Sequence, residues 1–322
     1  MLGNEYIIEQ FVRQAETGSL SHAYLITGKK GMGKKELAKL VCLEVFCREK
    51  RNGRACGNCP DCKKVLSGNH PDILRIRHEK PHLISVDDIR EQVSDTVGIR
   101  PYEGGKKIYI IDEAQKMNIQ AQNALLKSLE EPPEYVLMFL LCDDERMLLD
   151  TIRSRCIMVR PEQIGREVIR AGLEEKGADP DAAQIAAAFS AGNPGRALEL
   201  AFSEDFRKIY RTVVDLCRNL RTMDAAQRNS IARELAEENK PELVLELIED
   251  WYRDLLYCRI TGSAEGCIFQ GEQSAIRSQA SGARPETVSE ILAACEECAA
   301  RIRQNVNKEL SFYMLFQKMR DI

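Results

Sequence analysis

Apolar residues change their spacing several times along the chain, and each change predicts an element. In NEYIIEQFVRQAETG they recur at helical spacing and the run stops at Gly18, which predicts a helix. AYLIT is a short apolar strand feeding a glycine turn, and KKELAKLVCLEVFC returns to helical spacing. PDILRIR, KKIYIID, YVLMFLLC and CIMVRP predict four further strands. KKIYIID and YVLMFLLC lack alternation, as strands do when both faces are covered. SVDDIREQVSDTVG predicts a helix with Ser85 as N-cap and Asp88 three residues on. NIQAQNALLKSLEEPP predicts another, stopped by Pro132 and Pro133, and RMLLDTIRSR reads as helical. ACGNCPDCKK interrupts the helical pattern. Strands alternating with helices imply an α/β domain built on a parallel sheet with helices on both faces.

After Pro161 the strand pattern ends. REVIRAGLEEKG and DAAQIAAAFSAGNPGRALELA read as a compact helical unit, and everything from about Phe206 on reads as helix. In the last long helix Val288, Ile291, Leu292, Cys295, Ala299, Ile302 and Val306 fall on one stripe. TGSAEGCIFQGEQSAIRSQASGARPE, rich in Gly and Ser, is expected to be a loop. The expected division is an α/β domain over 1–163, a small helical domain over 164–204 and an all-α domain over 205–322.

Composition narrows the function classes. The 322 residues leave room for two or three domains, and 44% hydrophobic with 30% charged residues is ordinary for soluble globular protein. A net charge of −4 argues against a surface that binds nucleic acid over its whole extent. No apolar run approaches the roughly 20 residues of a membrane span. MLGNEYIIEQ lacks the basic and apolar regions of a signal peptide, so the expected location is the cytoplasm, with no membrane partner. In that reducing compartment the twelve cysteines read as metal ligands or small buried hydrophobes.

LITGKKGMGKKELAKL carries the first chemistry. Gly28, Gly31, Gly33 and Lys34 form a glycine loop between a strand and a helix, where backbone N–H groups and the helix N-terminus can cradle phosphates. The plainer alternative is a tight turn without a ligand. The acidic strand end Asp112-Glu113 favours the phosphate reading, since such residues hold Mg²⁺ and orient the attacking water. The residue after the loop lysine should offer a hydroxyl to Mg²⁺, but it is Lys35, whose ammonium repels the ion and cannot ligate it. ATP binding is therefore expected to be weak or absent, and hydrolysis weak.

Cys47, Cys56, Cys59 and Cys62 form C-x₈-C-x₂-C-x₂-C, a spacing that lets four thiolates converge on one tetrahedral ion. The expected cofactor is a structural zinc in a module at about 47–62, since four thiolates leave no open position for substrate. Cys42 and His70 are spare ligand candidates. Cys295 and Cys298 repeat the C-x₂-C spacing inside a regular helical pattern without a partner pair, and read as packing. Arg153 and Arg155 in TIRSRC, and Arg196 in GNPGRA, could face a phosphate or simply cap surface helices.

Taken in order, SHAYLITGKKGMGKK, the cysteine module, NHPDI, IIDEAQKMNIQAQNALLKSLEEPP, TIRSRC, GNPGRALEL and NVNKELSFYMLF resemble the bacterial clamp-loader subunits of the AAA+ class, which belong to the DNA polymerase III machinery. The resemblance covers essentially the whole chain. It implies an AAA+ domain, a helical lid and a C-terminal oligomerisation collar. It implies gamma/tau and delta subunits as partners, with the sliding clamp and primer-template DNA reached through the complex. Motor subunits of this group end the phosphate loop in Lys-Thr or Lys-Ser, so Lys35 sets this chain with the non-hydrolysing type; an active gamma-type ATPase is the alternative. Cys142 stands near the polar residue that senses the γ-phosphate in the family, a second departure, whereas Asp112 and Glu113 remain ATPase-like. Arg155 is implied to be a finger offered in trans to a neighbour's ATP.

Overall fold

The computed structural model describes residues 3–103 and 105–320. The chain forms two compact units, Met1–Ile169 with Gly192–Gly195, and Arg170–Ala191 with Arg196–Ile322.

The first unit is built on five parallel strands, β1 (Ala23–Thr27), β2 (Ile73–Arg75), β3 (Lys107–Ile111), β4 (Val136–Cys142) and β5 (Ile157–Val159). Their order is β2-β3-β4-β1-β5, with Leu25 opposite Leu140, Tyr24 opposite Ile157 and Tyr109 opposite Met138. Every residue of β1, β3 and β4 is buried. Successive side chains leave a strand on opposite faces, so an unbroken apolar run means that both faces are covered. Tyr24, Ile26, Ile108, Ile110 and Phe139 meet α1 (Glu5–Thr17) and α2 (Lys34–Phe46) through Ile7, Phe11, Leu37 and Val41. The same layer takes in α3 (Pro60–Ser67) through Cys62 and Val65. On the other face Leu25, Tyr109, Ile111, Met138 and Leu140 pack with α4 (Val86–Ile89) and α5 (Ile119–Glu130) through Ile89, Ala121 and Leu125.

Local chemistry sets the helix ends. Ser85 accepts from the Asp88 N–H at 3.2 Å while Asp88 accepts from the Ser85 N–H at 2.7 Å, the reciprocal box expected of that pair. α4 runs on into a π-helical segment, Arg90–Ser94. α5 stops before Pro132, as expected. RMLLDTIRSR is less helical than its spacing implies: a 3₁₀ turn over Glu145–Met147 precedes a single turn, α6 (Asp150–Arg153). The cysteine segment does not interrupt helix throughout, because Pro60 at the first position and Cys59 as N-cap start α3 inside it.

The second unit is all helical. α7 (Arg166–Glu175), α8 (Pro180–Phe189), α9 (Pro194–Phe202) and α10 (Glu204–Asn219) lead through or into it. They are followed by α11 (Ala225–Glu237), α12 (Pro241–Thr261), α13 (Gln273–Gly282), α14 (Pro285–Arg303) and α15 (Lys308–Met319). α12 packs on α13 and α14, and α15 packs on α11 and α14. Helix α13 corrects the expected loop. Ile276 and Ala280, one turn apart, are both buried, and Gln279 accepts from Trp251 Nε1 at 3.0 Å while donating to the Cys217 carbonyl at 2.8 Å. Two apolar anchors and one bridging amide outweigh the Gly/Ser composition of the segment. Along α14, Val288, Ile291 and Cys295 are buried as the stripe requires, with Cys298 beside them. Val306 lies beyond the end of that helix and is exposed, so the stripe is shorter than the pattern implied.

No helix among the described residues is long and apolar enough to cross a membrane.

Candidate functional site

The turn after β1 and the ends of β3 and β4 enclose a cleft of about 280 Å³ lined by Gly31, Gly33, Lys34, Lys35, Asp112, Glu113 and Asp143. The structure thus brings the predicted loop and acidic residues together. Gly33 caps α2 in the left-handed region, which an L side chain rarely adopts. Gly31 has φ +91° and lies against the GNPG turn: Asn193 Nδ2 donates to the Lys30 carbonyl at 2.7 Å, and the Gly195 N–H donates to the Gly31 carbonyl at 3.0 Å. The turn therefore clasps the loop through one side-chain amide and one backbone N–H, both meeting backbone carbonyls of the loop.

Three of the cleft carboxylates, Asp112, Glu113 and Asp143, each have their own ammonium, while Glu36, which also lines the cleft, is exposed. Lys34 Nζ, buried, pairs with Asp143 at 2.6 Å and donates to the carbonyls of Gly28 and Lys29. Lys35 Nζ pairs with Asp112 at 2.5 Å. Glu113 pairs with Lys116 at 2.7 Å, a contact that holds its carboxyl below the usual carboxylate range against a smaller cost of burial. Glu113 is also held at φ +50°, an uncommon backbone for a non-glycine residue. Asp143 is the acid that sequence reasoning missed. Attention fell on Cys142, but Cys142 ends β4 inside the core, with its Sγ near the Asp144 carbonyl and its thiol pushed up to about 11 by burial. The signal was available: Asp143 is the first charged residue after a fully apolar strand.

The four predicted cysteines converge. The sulfurs of Cys47, Cys56, Cys59 and Cys62 lie within 4.8 Å of one another. A tetrahedral zinc with Zn–S bonds of about 2.3 Å separates its sulfurs by about 3.8 Å, so the set fits that ion. Backbone N–H groups already point at the sulfurs: Cys56 to Cys47 at 3.2 Å, Cys59 to Cys56 at 3.3 Å and Cys62 to Cys59 at 3.5 Å. Such donors, with the N-terminus of α3 beside Cys59, favour thiolate over thiol. Burial opposes ionisation of Cys59, but these hydrogen bonds win and bring its thiol down to about 7. Cys47, Cys59 and Cys62 are part of the hydrophobic layer under the sheet, so an ion here would fasten α2 to α3. Cys42 stays outside the set, packed in α2 with its thiol pushed up to about 12 by burial.

His70 belongs to a second group, with Asp61 and Glu103. Its Nδ1 accepts from the Asp72 N–H at 3.2 Å, so in the neutral ring Nε2 carries the proton and has no lone pair for a metal. The group works instead as a strut. Lys64 of α3 pairs with Glu103 at 2.5 Å, and buried Asp72 accepts the N–H groups of Tyr102 and Glu103 at 2.6 and 2.9 Å.

Arg155, half-buried, donates to the Thr151 carbonyl at 2.8 Å and pairs with Glu130 of α5 at 2.8 Å. Glu130 is a second residue that sequence reasoning missed, because its partner comes 25 residues later in the chain, beyond β4 and α6. Arg153 pairs with Asp150. Arg196 belongs to the second unit, where it pairs with Glu246 of α12 at 2.6 Å.

A family model described as DNA polymerase III, delta subunit, matches residues 3–164. The chain is 30% identical over 307 residues to DNA polymerase III subunit delta' of Bacillus subtilis, covering 94% of this chain and 91% of that protein. It is 31% identical to subunit delta' of Pseudomonas aeruginosa, over 76% of this chain and 75% of that protein. Against subunit tau/gamma of Haemophilus influenzae it is 38% identical, but over 49% of this chain and 22% of that protein. The similarity to delta' thus runs the length of both chains, and the chain belongs to the delta-prime family of DNA polymerase III clamp-loader subunits.

Proposed function

We propose that this subunit is the non-hydrolysing member of its ring, leaving its own nucleotide cleft idle and offering Arg155 to the ATP of a neighbouring gamma/tau subunit. One observation carries the reading. The partners of the Arg155 guanidinium are the Thr151 carbonyl, Ser154 and Glu130, none of which lines the cleft of this chain. A guanidinium held ready at the surface suits a phosphate brought by another subunit, where a planar fork can neutralise charge developing on the transferred group. Zinc at Cys47, Cys56, Cys59 and Cys62 has a structural part, because four thiolates close the coordination sphere. Residues 164–204 act as the lid and 205–322 as the collar that joins gamma/tau and delta, and the clamp and primer-template DNA are met through that complex. The protein works in the cytoplasm.

The intact Lys34 and the acidic pair Asp112-Glu113 favour a second reading, an active gamma-type ATPase. The purified chain separates the two. We expect no steady Mg²⁺-dependent ATP turnover; turnover that disappears in Lys34→Ala would establish the motor reading instead.

A further inference from the structure

We propose that Lys35 is a built-in cation: its ammonium holds Asp112 in the place of a divalent ion, and this one side chain is what keeps metal–nucleotide out of the cleft. The inference rests on the reading of the cleft as an idle nucleotide site. Asp112 stands at the end of β3 facing the phosphate loop, and Lys35 Nζ lies 2.5 Å from its carboxylate. A magnesium ion approaching Asp112 must displace that ammonium, which brings three donors and no lone pair. It must then settle beside two lysines whose charges repel it, since Lys34 occupies the same cleft. Of the other acids in the cleft, Asp143 is engaged by Lys34 and Glu113 by Lys116, while Glu36 follows Lys35 on the first turn of α2 and is exposed to solvent. The exclusion is local and reversible by substitution. The Lys35 side chain is 67% exposed at the first turn of α2, so changing it disturbs no packing. Threonine there restores a hydroxyl ligand and releases Asp112 in one step.

The test uses the full chain, ADP, and Mn²⁺ as a paramagnetic stand-in for Mg²⁺, read by electron paramagnetic resonance and nucleotide fluorescence. Thermal unfolding checks that each variant is folded. Lys35→Thr should bind Mn²⁺–ADP at least tenfold more tightly than the wild type. Lys35→Ala, which frees Asp112 without supplying a hydroxyl, should gain less. Asp112→Asn added to Lys35→Thr should remove the gain. The proposal is overturned if Lys35→Thr gains nothing, if the wild type already binds Mn²⁺–ADP as tightly, or if the gain survives Asp112→Asn. Failure of the underlying reading looks different: the wild type itself would turn over ATP.

Discussion

On the proposed function Arg155 serves a neighbour, and such a guanidinium must be kept in place while the neighbour's site is empty. Arg155 has two contacts that would do so, a carbonyl within its own turn and the carboxylate of Glu130. Both side chains of the ion pair are more than a third exposed, so the pair adds little to stability. Glu130→Gln should therefore leave the unfolding free energy within about 0.5 kcal/mol of the wild type. The same change should slow ATP turnover of the reconstituted complex severalfold, since a loosened finger spends less time aligned. In Arg155→Ala it should have no further effect, because nothing remains to position. A Glu130→Gln chain that slows turnover just as much without Arg155 would show that the carboxylate acts elsewhere.

At the scale of elements, two joints hold the first unit in working order. One is the contact of the GNPG turn with the phosphate loop. A Cβ on Gly195 would come within 2.7 Å of the Gly31 Cα and carbonyl oxygen, and backbone cannot step aside as a side chain can. Gly195→Ala should cost about 1–3 kcal/mol in urea unfolding, the range of an overpacked contact. Gly98→Ala, with nothing within 4 Å, should be nearly silent, and equal effects would remove this joint from the account. The other joint is the cluster of Cys47, Cys56, Cys59 and Cys62. One zinc per chain is expected by metal analysis, lost in Cys59→Ser or Cys62→Ser, and chelation should lower the melting temperature because binding the ion is coupled to folding. A metal-free chain of undiminished stability would contradict this. Much of this level was legible in the sequence. β3 and β4 betrayed their double burial by unbroken apolar runs, and the cysteines their convergence by spacing. What stayed hidden depends on distance in space. Lys35 was visible as a departure, but its partner Asp112 is 77 residues away, as the numbering shows. Asp143 meets Lys34, and Asn193 meets Lys30, only after the sheet has formed. Helix α13 was masked by glycine and serine flanks, although Ile276 and Ala280 already stood one turn apart.

For the whole molecule, family membership and local chemistry point the same way. The chain keeps the frame of a nucleotide-binding domain, yet Asp112 and Asp143 of its cleft are engaged by its own lysines, while Arg155 is held outside that cleft. On the proposed function the subunit contributes to its neighbour's chemistry and not to its own. The most direct measurement compares ATP turnover and clamp loading by the reconstituted complex carrying either Arg155→Ala or Lys34→Ala in this subunit alone. Arginine fingers are worth about 10³–10⁵-fold at the site they serve. Arg155→Ala should therefore silence one site, lower total turnover only in part and impair clamp loading, with the complex still assembled and zinc-bound. Arg155→Lys should rescue poorly, because a point charge cannot reproduce the planar fork. Lys34→Ala should change turnover far less. Loss of turnover with Lys34→Ala and a silent Arg155→Ala would contradict the account and make this chain a motor subunit.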